Sequence, residues 1–211
     1  MTRAKICGIR NAAARDAAVA FGADAVGFVV EIPRSRRSIG RDEARRLIEG
    51  LPPFGSSVIV VEADSVAEAA SLALDTGADA LQVNDSLSLE DLSALADIVP
   101  QKLVAAVPAT PGVLDRAQAL EEVADALLVD TSEGGELGGT GTVHDWNLSA
   151  SLVRDIGIPV ILAGGLAPGN VAGAIETVRP YAVDVSSGVE TDGFKDPEKI
   201  EAFLLEVRGC L

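Results

Sequence analysis

The 211-residue chain predicts an α/β fold, a single (β/α)8 TIM barrel occupying residues 1–211 as one domain. Three observations predict it. Short apolar runs alternate with helical patterns eight times along the chain. Those runs are rich in Val, Ile and Leu, as strands buried on both faces are. A length of about 210 residues is where single barrels of this kind begin. A doubly wound open sheet competes, but it would carry G-x-G-x-x-G after its first strand, and here that position reads Gly8-Ile9-Arg10-Asn11. No linker or change of composition divides the chain.

In order, the expected strands are Ala4–Ile9, Ala25–Val30, Ser57–Val61, Ala80–Val83, Lys102–Val107, Ala126–Val129, Pro159–Ala163 and Ala182–Ser186. The first helix, Asn11–Phe21, opens on a good N-cap. The second, Arg41–Leu51, stops at Pro52-Pro53, which cannot continue it. Ser65–Thr76 has a Ser cap, Glu68 where a capping box needs it, and Gly77 after its last turn. Ser88–Ile98 ends before Pro100. Pro111–Val123 follows Thr110 as cap, with Pro in the first helical position. Leu148–Asp155 is short, and Pro168–Val178 and Pro197–Arg208 begin with Pro in a first turn. Ala23-Asp24-Ala25, Ala78-Asp79-Ala80 and Ala124-Asp125-Ala126 lead into the even-numbered strands. A recurring βαβα unit would leave such a repeat; the abundance of Ala and Asp explains it equally well.

Charge narrows the function. A net charge of −15 excludes a nucleic-acid binder, which needs basic surface to displace counterions, and argues against anionic membranes. Four lysines stand against 13 arginines. An acidic, Lys-poor and aromatic-poor chain fits a salt-loaded cytoplasm, where dense carboxylates stay hydrated and their repulsion is screened. Cys7 and Cys210 make no disulfide framework. No N-terminal targeting run precedes the first strand and no apolar run reaches membrane length, so a cytoplasmic location is expected.

In a barrel the chemistry belongs at the C-terminal ends of the strands. Cys7, at the end of the first, is a nucleophile or base there, or else a buried small hydrophobe. Lys5 shares its strand face and either lowers the thiol pKa or pairs with a barrel carboxylate. The loop Pro33-Arg34-Ser35-Arg36-Arg37-Ser38 is the one dense basic cluster. It would clamp an anionic substrate, or simply pair with local acids. Asp130 ends the sixth strand, where burial would suit it to proton donation. Glycines at 134, 135, 138, 139 and 141 follow, as in a phosphate loop or a lid. Ala163-Gly164-Gly165-Leu166 and Asp184-Val185-Ser186-Ser187-Gly188-Val189 close the last two strands, the usual phosphate site of such barrels. His144 is the only histidine, so no His-based metal site is expected.

These residues resemble one family. Lys-Ile-Cys-Gly-Ile at 5–9, Gly-Ala-Asp-Ala-Val-Gly-Phe at 22–28, Ser-Arg-Arg-Ser-Ile at 35–39, Asp-Thr at 130–131, Gly-Gly-Thr-Gly at 138–141 with Asp-Trp at 145–146, Ala-Gly-Gly-Leu at 163–166 and Val-Asp-Val-Ser-Ser-Gly-Val-Glu at 183–190 are similar to phosphoribosylanthranilate isomerases of tryptophan biosynthesis. The resemblance runs in family order over nearly the whole chain. It implies an Amadori rearrangement of a small-molecule substrate, with Cys7 as general base and Asp130 as general acid. It implies Arg37 on the anthranilate carboxylate, phosphate loops at Gly165 and at Ser186, Ser187 and Gly188, and substrate binding also by Gly139, Gly164 and Asp184. No cofactor is implied, because the substrate nitrogen supplies the electron sink, and no metal; the expected assembly is a monomer or homodimer. The chain departs from the family at Gln82-Val83-Asn84-Asp85, at Glu62 and at His144, on the rim and pocket wall. The histidine-pathway isomerase, whose base and acid are both Asp, fits Cys7 poorly. A silent or divergent sugar-phosphate-binding barrel is the alternative of a different class.

Overall fold

A computed structural model describes residues 1–84, 86–133, 136–137 and 145–210. Eight strands form the barrel: β1 (Arg3–Ile6), β2 (Ala25–Val30), β3 (Ser56–Val61), β4 (Ala80–Asn84), β5 (Lys102–Pro108), β6 (Ala126–Asp130), β7 (Val160–Leu162) and β8 (Ala182–Val185). Each pairs in parallel with the next, and β8 closes on β1 with Lys5 opposite Asp184. Helices α1 (Ala12–Ala20), α2 (Arg41–Glu49), α3 (Val66–Thr76), α4 (Leu89–Ile98), α5 (Val113–Glu121), α6 (Trp146–Asp155), α7 (Val171–Val178) and α8 (Pro197–Gly209) follow the strands in turn. Parallel neighbours need a crossover, and a helix on the outer face supplies it with the right hand.

The period of two along each strand divides the core. Outward side chains such as Ile6, Phe28, Ile59, Leu81, Leu103 and Leu127 meet Ala44, Ala69, Leu95, Leu152 and Phe203 of the helices in one large apolar layer. A fully buried Leu or Phe contributes about 1.5–3 kcal/mol by transfer from water, so this layer carries most of the hydrophobic stabilisation. The interior differs from one side to the other. On the β5–β6–β7 side it is small and apolar, with Val104, Ala106, Ala126, Leu128 and Ala163. On the β8–β1 side and at β4 it buries Asp184, Lys5 and Gln82.

The Ala-Asp-Ala repeat is structural. Asp24 accepts the backbone N–H of Ala4 at 2.9 Å, Asp79 that of Ser57 at 2.8 Å, and Asp125 that of Leu103 at 2.8 Å. Each carboxylate stands before an even strand and ties down the first turn of the odd strand beside it. Before β8 the corresponding place holds Tyr181.

Two helix starts lie later than the prolines suggest. Helix α5 begins at Val113 behind Gly112, whose φ of 90° turns the chain into it, so Thr110 is no cap and Pro111 precedes the helix. Helix α7 begins at Val171 behind Asn170, which closes the preceding turn by accepting the Ala167 N–H and donating to the Gly165 carbonyl. A proline fixes φ for a turn as readily as for a first helical residue. At α3, Ser65 caps the Glu68 N–H, but the Glu68 carboxylate accepts from Asp64 rather than from the cap, so the box is not reciprocal. The reciprocal box is at α4, between Ser88 and Asp91. Strand β1 ends at Ile6, so Cys7 and Gly8 are the first residues past it.

Candidate active site

Beyond Ile6 the chain turns at Gly8, whose φ is +77°. A side chain there would strike the Arg37 stem at 2.6 Å and the Ser186 hydroxyl at 2.9 Å. Glycine thus brings three loops, after β1, β2 and β8, to one point. Gly27 does the same below it: a Cβ would lie 2.8 Å from both Cys7 Sγ and Lys5 Cε. Lys5 on β1 and Cys7 just past its end therefore face the same side, as their spacing predicts.

A cavity of about 260 Å³ opens at the C-terminal mouth. Cys7, Asp130, Arg37, Asp184 and Ser186 line it, so five of the predicted site residues converge. Gly164, Gly165, Ser187 and Gly188 lie outside its lining, on the two adjoining loops. Gly164 has φ +85°, and a Cβ there would clash with the Thr131 backbone at 2.6 Å and approach Asp130 Oδ1 at 3.0 Å. A Cβ on Gly188 would overlap the Leu166 carbonyl at 1.9 Å, so the loops after β7 and β8 touch. Gly139, His144 and Asp85 lie outside the described residues. A larger cavity, about 890 Å³, opens between α7 and α8 near Met1 and Cys210, and none of the predicted site residues lines it.

Charge explains the mouth. Lys5 donates to Gln82 at 2.7 Å and to Asp184 at 3.3 Å, and Gln82 donates to Asn84 at 3.0 Å. Lys5 pairs with a barrel carboxylate, and its charge opposes the rise of the thiol without reversing it. Burial works to lower Lys5, but the charges of Asp184 and Cys7 outweigh it and hold the ammonium above its ordinary value. Burial pushes the Cys7 thiol up; Lys5 opposes, Asp184 adds and Lys195 opposes, with a net rise. Burial, reinforced by the Asp184 charge, raises Asp130 to about 7, and its Oδ1 is buried with no hydrogen-bond partner among the described residues. Asp184 Oδ1 is likewise without one.

The arginine loop pairs with acids. Arg37 grips Glu190 through Nε at 2.7 Å and Nη2 at 3.0 Å, and Arg36 reaches the same carboxylate at 3.0 Å. Arg34 pairs with Glu62, through Nε at 2.9 Å and again through Nη2. Burial would raise Glu190, but the bonds from Arg37 and Lys195 hold it down at about 2. Glu190 and Lys195 face each other at 2.8 Å across a hairpin of two-residue strands, Glu190–Thr191 and Phe194–Lys195. Sequence reasoning missed Lys195 and the bracing part of Glu190. The available signal was modest: one of four lysines, behind the turn-forming Gly193, five residues after a Glu.

No group of three or more His, Cys, Asp or Glu suited to a metal ion occurs among the described residues, and no helix there is long and apolar enough to cross a membrane.

Fold and site define a class, the (β/α)8-barrel enzymes with a pocket at the C-terminal mouth. Residues 4–206 match the family model described as N-(5'-phosphoribosyl)anthranilate (PRA) isomerase. The chain is 51% identical to the N-(5'-phosphoribosyl)anthranilate isomerase of Methanothrix thermoacetophila over the whole of both chains. It is 44% identical to that of Haloferax volcanii, over 97% of this chain and 92% of the relative. A phosphoribosylanthranilate isomerase solved with reduced 1-(o-carboxyphenylamino)-1-deoxyribulose 5-phosphate superposes with a TM-score of 0.85 at 34% identity, over 99% of this chain and all of that one. Monomers generated from the dimeric Thermotoga maritima isomerase superpose with a TM-score of 0.86 at 33% identity, with the same coverage. The chain belongs to the phosphoribosylanthranilate isomerase family, enzymes of tryptophan biosynthesis.

Proposed function

We propose that Asp130 and Cys7 carry out a cofactor-free Amadori rearrangement of phosphoribosylanthranilate. The observation that carries this reading is their convergence on one small cavity, with both groups titrating above their ordinary range. Protonated Asp130 gives its proton to the ribose ring oxygen as the C1–O bond breaks, and the substrate nitrogen's lone pair forms the Schiff base. The Cys7 thiolate removes the C2 proton, leaving an enolamine, which tautomerises to the aminoketose. A carboxyl near 7 is about half protonated at neutral pH. The productive pairing of thiolate with protonated acid is a minor population, because the acid titrates below the thiol. Cations beside Cys7 enlarge that population.

Arg37 holds the anthranilate carboxylate with the N–H groups that Glu190 leaves over, and Glu190 fixes its angle. Gly165 and the Ser186–Gly188 turn, with Gly164 of the adjoining loop, take the phosphate; Asp184 borders it from the barrel interior, and Gly139 is a further substrate contact. The two anions of the substrate explain why arginines and lysines concentrate at one mouth of an acidic protein. Residues 1–211 act as one domain. The location is cytoplasmic and the assembly a homodimer, on the precedent of the dimeric Thermotoga maritima relative. The test is turnover of phosphoribosylanthranilate generated in situ. Loss of anthranilate-type fluorescence, abolished in Cys7→Ser, is expected; turnover by a folded Cys7→Ser protein would remove Cys7 from the base role.

The acidic, Lys-poor composition supports a halophilic source. Unfolding in dilute buffer with recovery in molar KCl is expected, and full stability in dilute buffer would defeat that reading.

A further inference from the structure

Lys195 is a buried cation that the chemistry above does not use. Its side chain is 3% exposed, and it belongs to the hairpin after β8 rather than to the barrel wall. Its ammonium donates to the Ser186 carbonyl at 2.8 Å, to the Ser186 hydroxyl at 3.3 Å and to Glu190 at 2.8 Å. The Ser186 hydroxyl donates in turn to the Cys7 carbonyl at 3.2 Å. A single hydroxyl thus separates the ammonium from the backbone of the proposed base. Glu190, 4% exposed and shared with Arg37, fixes the ammonium at this spot.

We propose that Lys195 is a positioning residue for the reaction: held by Glu190 beneath the Ser186 turn, it supplies the positive field that favours the Cys7 thiolate while an anion occupies that turn. The inference rests on the reading of Cys7 as base. A phosphate bound at the Ser186 turn would by itself oppose a thiolate next door, and a fixed cation between them offsets it. Every charged group facing Cys7 enters the balance. Lys5 on its own strand and Lys195 on the hairpin favour the thiolate; Asp184 on β8 opposes it. Asp130 on β6, Arg34, Arg36 and Arg37 on the loop after β2, and Glu62 just past β3 border the same cavity, and Glu190 lies behind Lys195. Lys5 pairs with Asp184 and Gln82 in the barrel interior, whereas Lys195 stands on the side of the Ser186 turn. Burial pulls Lys195 itself below its ordinary value, with Glu190 opposing, so the hairpin carboxylate also sustains its charge.

The experiment reads the Cys7 thiolate directly, by its ultraviolet absorbance against pH, in a Cys210→Ser background with inorganic phosphate present. In Lys195→Met the midpoint is expected to rise by about one pH unit, and Lys195→Arg to restore most of the change. The basic limb of the kcat profile should move the same way and its plateau should fall about tenfold, which loss of packing alone would not produce. An unchanged midpoint in folded Lys195→Met overturns the proposal. If Lys195→Met does not fold, Lys195→Gln, which keeps a donor for Ser186, is measured instead; failure of both to fold overturns it in favour of a purely structural role. The base assignment fails separately, by turnover in Cys7→Ser, while the absorbance still reports whether Lys195 acts on the thiol.

Discussion

The two mouths of the barrel use the same residue type in opposite ways. At the N-terminal mouth, Asp24, Asp79 and Asp125 each accept a backbone N–H from the neighbouring strand. Asp79 adds the Ser57 hydroxyl at 2.7 Å, and that hydroxyl accepts the Asp79 N–H at 3.0 Å. Asp125 adds Lys102 at 2.8 Å. At the C-terminal mouth, Asp130 and Asp184 each keep a buried oxygen with no hydrogen-bond partner among the described residues. A closed set of bonds fixes a strand end. An open one leaves a carboxyl whose proton is easily exchanged with something that enters, at a cost to stability. The comparison teaches that the location of an acid says less about its use than the closure of its hydrogen bonds.

The largest effect should come from breaking the open mouth. Asp130→Asn is expected to lower kcat by about 10²–10⁴-fold with little change in KM, by steady-state kinetics. Near-normal turnover would place the acid elsewhere and end the contrast. The same variant sharpens it in stability. Asp130 titrates at about 7 when folded, against an ordinary value of 3.8. The folded state therefore binds its proton more tightly, and stability falls as pH rises from about 4 to about 7. Asp130→Asn removes that loss, so thermal unfolding should show the variant gaining on the parent across this window, by a few kcal/mol at most above it. An identical pH dependence in both would show that Asp130 is not buried as a neutral acid.

Arg37→Ala comes next. It is expected to raise KM about tenfold or more, with a smaller loss of kcat, because it removes a proposed substrate contact and frees Glu190. An unchanged KM would sever Arg37 from the substrate carboxylate. The smallest catalytic effect belongs to the closed mouth. Asp79→Ala should cost about 1–3 kcal/mol in denaturant melts, because it orphans the Ser57 N–H, while kcat stays at the parental value. A catalytic defect there would mean that the two ends are coupled.

Much of this was legible before any fold was drawn. Cys7 and Asp130 stand out because strand ends can be read from apolar runs, and a barrel puts its chemistry at those ends. The Ala-Asp-Ala repeat was visible but mute: spacing cannot say whether an aspartate finds an amide to accept. The arginine loop was read as substrate clamp or local ion pairs. The structure shows acid pairs for Arg34, Arg36 and Arg37, and all three also line the cavity. Lys195 was passed over because its value depends on Ser186 and Cys7, which no periodicity connects to it.

The division has a physical cause. Strand and helix periods are set by neighbours within a few residues, so the sequence alone determined eight βα units, their inward and outward faces, and the ends where function sits. Which charges meet was decided by ring closure. When β8 pairs with β1, Lys5 meets Asp184 across 179 positions, and Arg37 meets Glu190 across 153. Burial raises Asp130 and Cys7, and the charges of Lys5 and Asp184 adjust both; no local pattern encodes an encounter at that distance.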